Sequence, residues 1–131
     1  MSKTPLFALI VIRDYQVRIC IIKSKWFLDA IHPEGLAKMA KALGDNSGYA
    51  QTIFALAIDE TTDPLLFVGQ TDGKIVEPRG SRIFGWDCVF EPIDSELTYG
   101  EMDKDTKNKI SHRSKALDKF LLFIKEGKLD N

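Results

Sequence analysis

The chain has 131 residues, of which 44% are hydrophobic and 28% charged, the balance of one globular domain and not of a disordered or fibrous chain. Its 18 basic and 19 acidic side chains leave a formal net charge of -1, which excludes bulk attraction to nucleic acid or to an anionic membrane; any anion site must be a local cluster. The longest apolar run, residues 6–12, is far shorter than the roughly 20 residues that span a bilayer, and the two cysteines, Cys20 and Cys88, form neither a CxxC pair nor a disulfide framework and read as reduced thiols.

Two short β-branched stretches, residues 6–12 and 17–22, predict strands joined by a hairpin. A helix follows over residues 24–31. His32-Pro33 breaks it, because the residue before proline avoids helical angles. A second helix starts at Pro33-Glu34-Gly35-Leu36, with Leu36, Met39, Ala40 and Leu43 on one face and Gly44 placed as its C-cap. Residues 49–58 and 65–69 predict two strands around a turn at 59–64. Thr71-Asp72-Gly73-Lys74 predicts a tight turn of the Asp-Gly type, with a third strand beginning at Ile75-Val76. The middle of the chain therefore reads as an antiparallel meander. Asp103 caps a predicted helix over 104–108. Ser111 caps the last helix, whose apolar stripe is Ala116, Leu117, Phe120, Leu121 and Ile124 and which ends at Gly127.

Two stretches carry residue types suited to chemistry. Gly80-Ser81-Arg82-Ile83-Phe84-Gly85-Trp86-Asp87 sets two aromatics around a glycine, ahead of a carboxylate, in a loop bounded by strands. Aromatic faces hold a planar base, with stacking worth roughly 1–3 kcal/mol per base. Glycine admits close backbone approach, and Asp87 can accept a hydrogen bond from a ring N–H. The same pattern also suits Phe84 and Trp86 as core residues beside a turn. The second stretch, Lys107-Asn108-Lys109-Ile110-Ser111-His112-Arg113, puts two basic residues in the first turn of a helix, where the dipole disfavours them. Free N–H groups and Arg there attract an anion or a carbonyl oxygen; a solvated basic face is the alternative. Glu101, Asp103 and Asp105 read as capping and solvating residues. Two Cys and two His at scattered positions do not make a zinc site.

Taken in order, Lys25-Trp26-Phe27-Leu28, Pro33-Glu34-Gly35-Leu36, Thr71-Asp72-Gly73-Lys74-Ile75-Val76, Pro78-Arg79-Gly80, Phe84-Gly85-Trp86-Asp87, Glu101-Met102, Lys107-Asn108 and Ser111-His112-Arg113 resemble the inosine triphosphate pyrophosphatase family, which clears non-canonical purine nucleotides. The Phe-Gly-Trp-Asp form is similar to the eukaryotic branch. The resemblance implies an α/β fold, a mixed β-sheet with flanking helices and a cleft between two lobes, in a cytoplasmic homodimer. It implies Mg²⁺-dependent hydrolysis of the purine nucleoside triphosphates ITP, dITP and XTP to the monophosphate and pyrophosphate. It places Lys25 on the substrate side of the cleft, Phe84, Gly85, Trp86 and Asp87 in the base-binding loop, and Lys107, His112 and Arg113 among the remaining nucleotide contacts. It implies no nucleic-acid or membrane partner.

The chain departs from that pattern at its start. The family's Ser/Thr-x-Asn-x-x-Lys phosphate loop and its acidic segment, which supplies metal ligands and a catalytic carboxylate, have no counterpart in residues 1–23, where Asp14 is the sole carboxylate. The expected organisation is an unrelated strand-like segment at 1–23, the C-terminal part of the family domain at 24–127 and a tail at 128–131, with the N-terminal portion of the fold missing or replaced. No catalytic residue and no metal ligand is assigned. Beside hydrolysis stands an alternative, a truncated non-catalytic form that keeps the purine-base pocket or the dimer surface.

Overall fold

The computed structural model describes residues 8–13, 18–21, 24–57, 61 and 63–127, with side chains from Trp26 onward. In chain order the elements are β1 (Ala8–Arg13), β2 (Arg18–Ile21), α1 (Ser24–Leu43), β3 (Ser47–Leu56), β4 (Leu65–Ile75), β5 (Phe90–Pro92), α2 (Lys104–Ile110) and α3 (His112–Glu126). The strands form one sheet in the order β2-β1-β3-β4-β5. The α/β arrangement, a sheet with flanking helices, is the one expected. All pairings among the described strands are antiparallel, so the parallel pairs of a mixed sheet are not among them.

β3 and β4 pair without interruption from Ser47↔Lys74 to Leu56↔Leu65. The period-2 pleat sends Ala50 and Thr52 of β3, and Phe67, Thr71 and Ile75 of β4, to one buried face. At one end of that face Leu36 and Ala40 of α1 pack with Ala50, Ile75, Trp86, Cys88, Val89, Phe90 and Tyr99. At the other end Phe120 and Phe123 of α3 close on Phe67, each with ring centroids 5.4 Å apart. The same face of the sheet thus carries α1 at one end and α3 at the other.

The expected turn at Thr71-Asp72-Gly73-Lys74 is not formed. β4 runs straight through these residues, and the strand expected to start at Ile75 is its end. Gly73 answers a tertiary need instead. A Cβ there would stand 2.5 Å from the Glu91 carbonyl oxygen and 2.7 Å from the Phe90 ring, so glycine lets β5 cross close by. The turn expected at 59–64 lies largely outside the described residues.

Local chemistry fixes the helix ends as expected. His32 stands at φ 59° and kinks α1 ahead of Pro33. Gly44 and Gly127 take the left-handed conformation, at φ 72° and 67°. Asp103 accepts the Thr106 N–H at 2.8 Å at the start of α2. Ser111 accepts the Ser114 N–H at 3.1 Å at the start of α3. The α3 stripe divides. Ala116, Phe120 and Phe123 face the sheet, while Leu117, Leu121 and Ile124 stay exposed. Among the described residues no helix is long and apolar enough to cross a membrane. Replacing Ser111 by Ala removes the cap of α3 and is expected to cost about 1 kcal/mol, read as a lower midpoint in urea denaturation.

Candidate functional site

The loop after β4 is closed at its neck by the Arg79 N–H, which donates to the Cys88 carbonyl at 2.8 Å. Between them residues 81–85 are all exposed. Gly85 stands at φ 40°, where glycine lets the chain reverse, and the Asp87 N–H returns to the Phe84 carbonyl at 2.9 Å. A surface ion pair between Arg82 and Glu34 ties the loop to α1.

This turn sends the two aromatics in opposite directions. Phe84 is 69% exposed, while Trp86 is 6% exposed and packs edge-on against Phe90, with centroids 5.6 Å apart. Trp86 also lies beside His112 at 5.4 Å, and the His112 ring is nearly parallel to Tyr99 at 5.9 Å. Trp86 is therefore the floor under the loop, and Phe84 is its free face.

Asp87 and Lys107 join the two sequence stretches. The Lys107 ammonium, reaching from α2, donates to the buried Asp87 carboxylate. It also stands 5.5 Å from the centre of the Phe84 ring and 5.3 Å from that of Tyr99. Burial pushes the Asp87 carboxyl up, against the hydrogen bond and charge of Lys107 and the charge of Arg113. His112 is pushed down to about 4 by burial and then by Arg113, Lys107 and Lys115, so its ring is neutral at pH 7. Among the described residues its buried Nδ1 has no hydrogen-bond partner. Burial likewise raises the Tyr99 phenol to about 12.

Arg113 is exposed at the start of α3, one residue from His112. Gly85 lies in the loop itself. Lys25 stands in the first turn of α1, and its side chain lies outside the described residues. Sequence reasoning missed Thr98 and Tyr99, both buried. The one local signal for them is an aromatic between a threonine and a glycine in an otherwise charged segment. The Mg²⁺ implied by the resemblance finds no ligand set here. Asp103 is spent on the α2 cap, Glu101 accepts the Thr98 N–H at 2.9 Å, and no group of three His, Cys, Asp or Glu converges among the described residues. What the site offers is an exposed aromatic face with an ammonium 5.5 Å from its centre, that ammonium paired with a carboxylate, a donor and acceptor set suited to a planar heterocycle.

The Ham1 family model matches residues 21–123, most of the chain. The chain belongs to the Ham1 family. Its fold is similar to that of the Staphylococcus aureus Ham1 protein, at 20% identity and TM-score 0.76 over 94% of this chain and 66% of that one. It is also similar to a HAM1 protein from Coxiella burnetii, at 27% identity and TM-score 0.76 over 91% and 64%. A nucleoside-triphosphatase, dITP/XTP pyrophosphatase, from Mycobacterium abscessus matches at 24% identity and TM-score 0.51 over 66% and 48%. The chain thus spans at most 66% of the length of these three structures.

In this Ham1 chain the bond between Lys107 and Asp87 joins α2 to the loop across the buried side of the site. Replacing Lys107 by Met leaves a buried carboxylate without its cation. The expected loss is about 1–3 kcal/mol in urea denaturation at neutral pH. Adding Asp87→Asn to that variant is expected to recover most of it, because the uncompensated charge is gone. Failure of the second change to recover stability would place the loss in packing of the lysine stem instead.

Proposed function

We propose that this chain is the base-recognition part of a nucleoside triphosphate pyrophosphatase acting on ITP, dITP and XTP to give the monophosphate and pyrophosphate. The observation that carries the reading is the Asp87–Lys107 pair beneath the exposed ring of Phe84. A stacked hypoxanthine presents a ring N–H beside a 6-keto oxygen. Asp87 accepts the first, and Lys107, Arg113 or backbone N–H groups donate to the second. Adenine presents the opposite polarity at both positions and would leave buried groups unpaired. Such a mismatch can discriminate by about 10⁴. Family membership supports the reaction class. Mg²⁺ as cofactor, a homodimer and a cytoplasmic location, in keeping with reduced thiols, belong to the same reading.

Two measurements test it. Calorimetry of the full chain with inosine 5′-monophosphate should show saturable binding, and adenosine 5′-monophosphate should bind far more weakly. Equal affinities would overturn the base assignment. Incubation with dITP and Mg²⁺ should release pyrophosphate above the enzyme-free rate. A second reading is favoured by the engagement of Glu101 and Asp103 in bonds that hold the fold. In it the chain binds the base without hydrolysis, and inosine monophosphate binding without pyrophosphate release would select it.

A further inference from the structure

The base loop is exposed along its middle, where a surface ion pair from Arg82 to Glu34 holds it, and its ends are held by backbone. A turn at residues 98–102 bonds to both ends. The Ser81 N–H donates to the Gly100 carbonyl at 2.8 Å, and the Gly100 N–H donates to the Asp87 carbonyl at 3.0 Å. Gly80 and Gly100 meet backbone to backbone. A Cβ on Gly80 would stand 2.6 Å from the Glu101 nitrogen, and one on Gly100 would stand 2.9 Å from the Cys88 Cα. The loop is seated on this turn, and no side chain separates them.

Thr98 sets the turn. It is 0% exposed. Its hydroxyl donates to the Arg79 carbonyl at 2.8 Å and accepts the Glu101 N–H at 3.3 Å. Its own N–H donates to the Glu101 carboxylate at 2.9 Å. Glu101 in turn stands 3.6 Å from the Arg79 guanidinium, which also pairs with buried Glu91. Lys74 holds Glu91 from β4 at 2.9 Å. The next residue, Tyr99, carries this register into the pocket as the ring under His112 and Lys107. A hydroxyl can donate and accept at once. An isosteric valine would leave the Arg79 carbonyl without this donor, while the Glu101 N–H would keep only its 3.0 Å bond to the Thr98 backbone carbonyl.

We propose that Thr98, clamped by Glu101 and Arg79, is the positioning residue of the base loop: it fixes both loop ends, and through them Phe84 and Asp87, relative to Lys107. This rests on the base-recognition reading above. The role is positional, since Thr98 lies beneath the loop and touches no base.

The test uses the full chain with Thr98→Val, Thr98→Ser and Glu101→Gln. Affinity for inosine 5′-monophosphate is measured by calorimetry well below each melting temperature, and amide hydrogen exchange is measured in the free proteins. Thr98→Val is expected to weaken binding about tenfold and to speed exchange at the Ser81 and Gly100 amides while leaving β3–β4 amides unchanged. Thr98→Ser, which keeps the hydroxyl, should bind within about threefold of the wild type. Glu101→Gln should weaken binding about threefold with little change in melting temperature. Wild-type affinity and exchange in Thr98→Val would overturn the proposal. If that variant fails to fold, unchanged affinity and exchange in Glu101→Gln would overturn it. If the wild-type chain itself does not bind inosine monophosphate, the base reading falls, and exchange at Ser81 and Gly100 alone decides whether Thr98 positions the loop.

Discussion

Replacing Gly69 by Ala is expected to cost more than about 3 kcal/mol and to detach α3 from the sheet. Gly69 lies on the buried face of β4, where α3 crosses. An added Cβ would overlap the His112 carbonyl oxygen and the Ala116 nitrogen and stand 2.9 Å from the Ala116 side chain. Two of these atoms are backbone, so no rotamer relieves the clash and the helix must move. Moving it breaks the bonds that bind it to β4. Just ahead of α3, the Thr71 hydroxyl donates to the carbonyl of Ile110, the last residue of α2, at 2.7 Å. Lys115 and Lys119 donate to the Gln70 and Val68 carbonyls at 3.0 and 2.7 Å. The same shift carries Ser111, His112 and Arg113 away from Trp86 and Asp87, so the site is lost with the helix. Gly44→Ala is the control. It has a positive φ but nothing within 4 Å of the added methyl, so it should cost only about 1–2 kcal/mol. Thermal melts followed by circular dichroism separate the two. Equal costs would mean that α3 does not rest on the Gly69 backbone.

Gly69 and Gly73 also show where the sequence can be read and where it cannot. Helix ends were legible because their chemistry is local. Pro33 restricts His32, Asp103 and Ser111 cap the helices they precede, and Gly44 and Gly127 end theirs. Asp72-Gly73 carries the same local signal as a hairpin turn, yet its glycine is there for β5, which returns only at Phe90. Nothing within a few residues distinguishes the two uses. Phe84 and Trp86 are alike in type and sit two residues apart. What buries one of them is the wall of Phe90, Tyr99 and His112, supplied by three later segments. The two chemically marked stretches were legible separately. Their union through Asp87 and Lys107, 20 residues apart, is a property of the fold. Thr98 left almost no trace, because its hydroxyl bonds to backbone groups that any sequence provides.

Acidification is expected to destabilise the protein through His112, in the window from about pH 6.5 down to about pH 4. Its imidazole is buried against Trp86 and Tyr99 with three cations nearby, and these hold it neutral in the fold down to about 4. In the unfolded chain the ring titrates near its ordinary value of about 6.5. Above that value neither state is protonated and the full stability is present. As the pH falls below it, the unfolded chain binds a proton that the folded one refuses, so stability drops until the folded ring also titrates. A separation of roughly two and a half pH units corresponds to about 3 kcal/mol. Asp87 works the other way, because burial makes the folded carboxyl the better proton acceptor, and it offsets part of the loss. Glu91 is held low by Lys74 and Arg79 in spite of its burial, so its contribution fades at the acid end of the window and below. His112→Gln isolates the imidazole. Urea midpoints measured from neutral pH to about pH 4.5 should fall steeply for the wild type and less steeply for the variant, with the curves converging toward acid. Curves that stay parallel would mean that water reaches the ring and that it shares no dry wall with Tyr99.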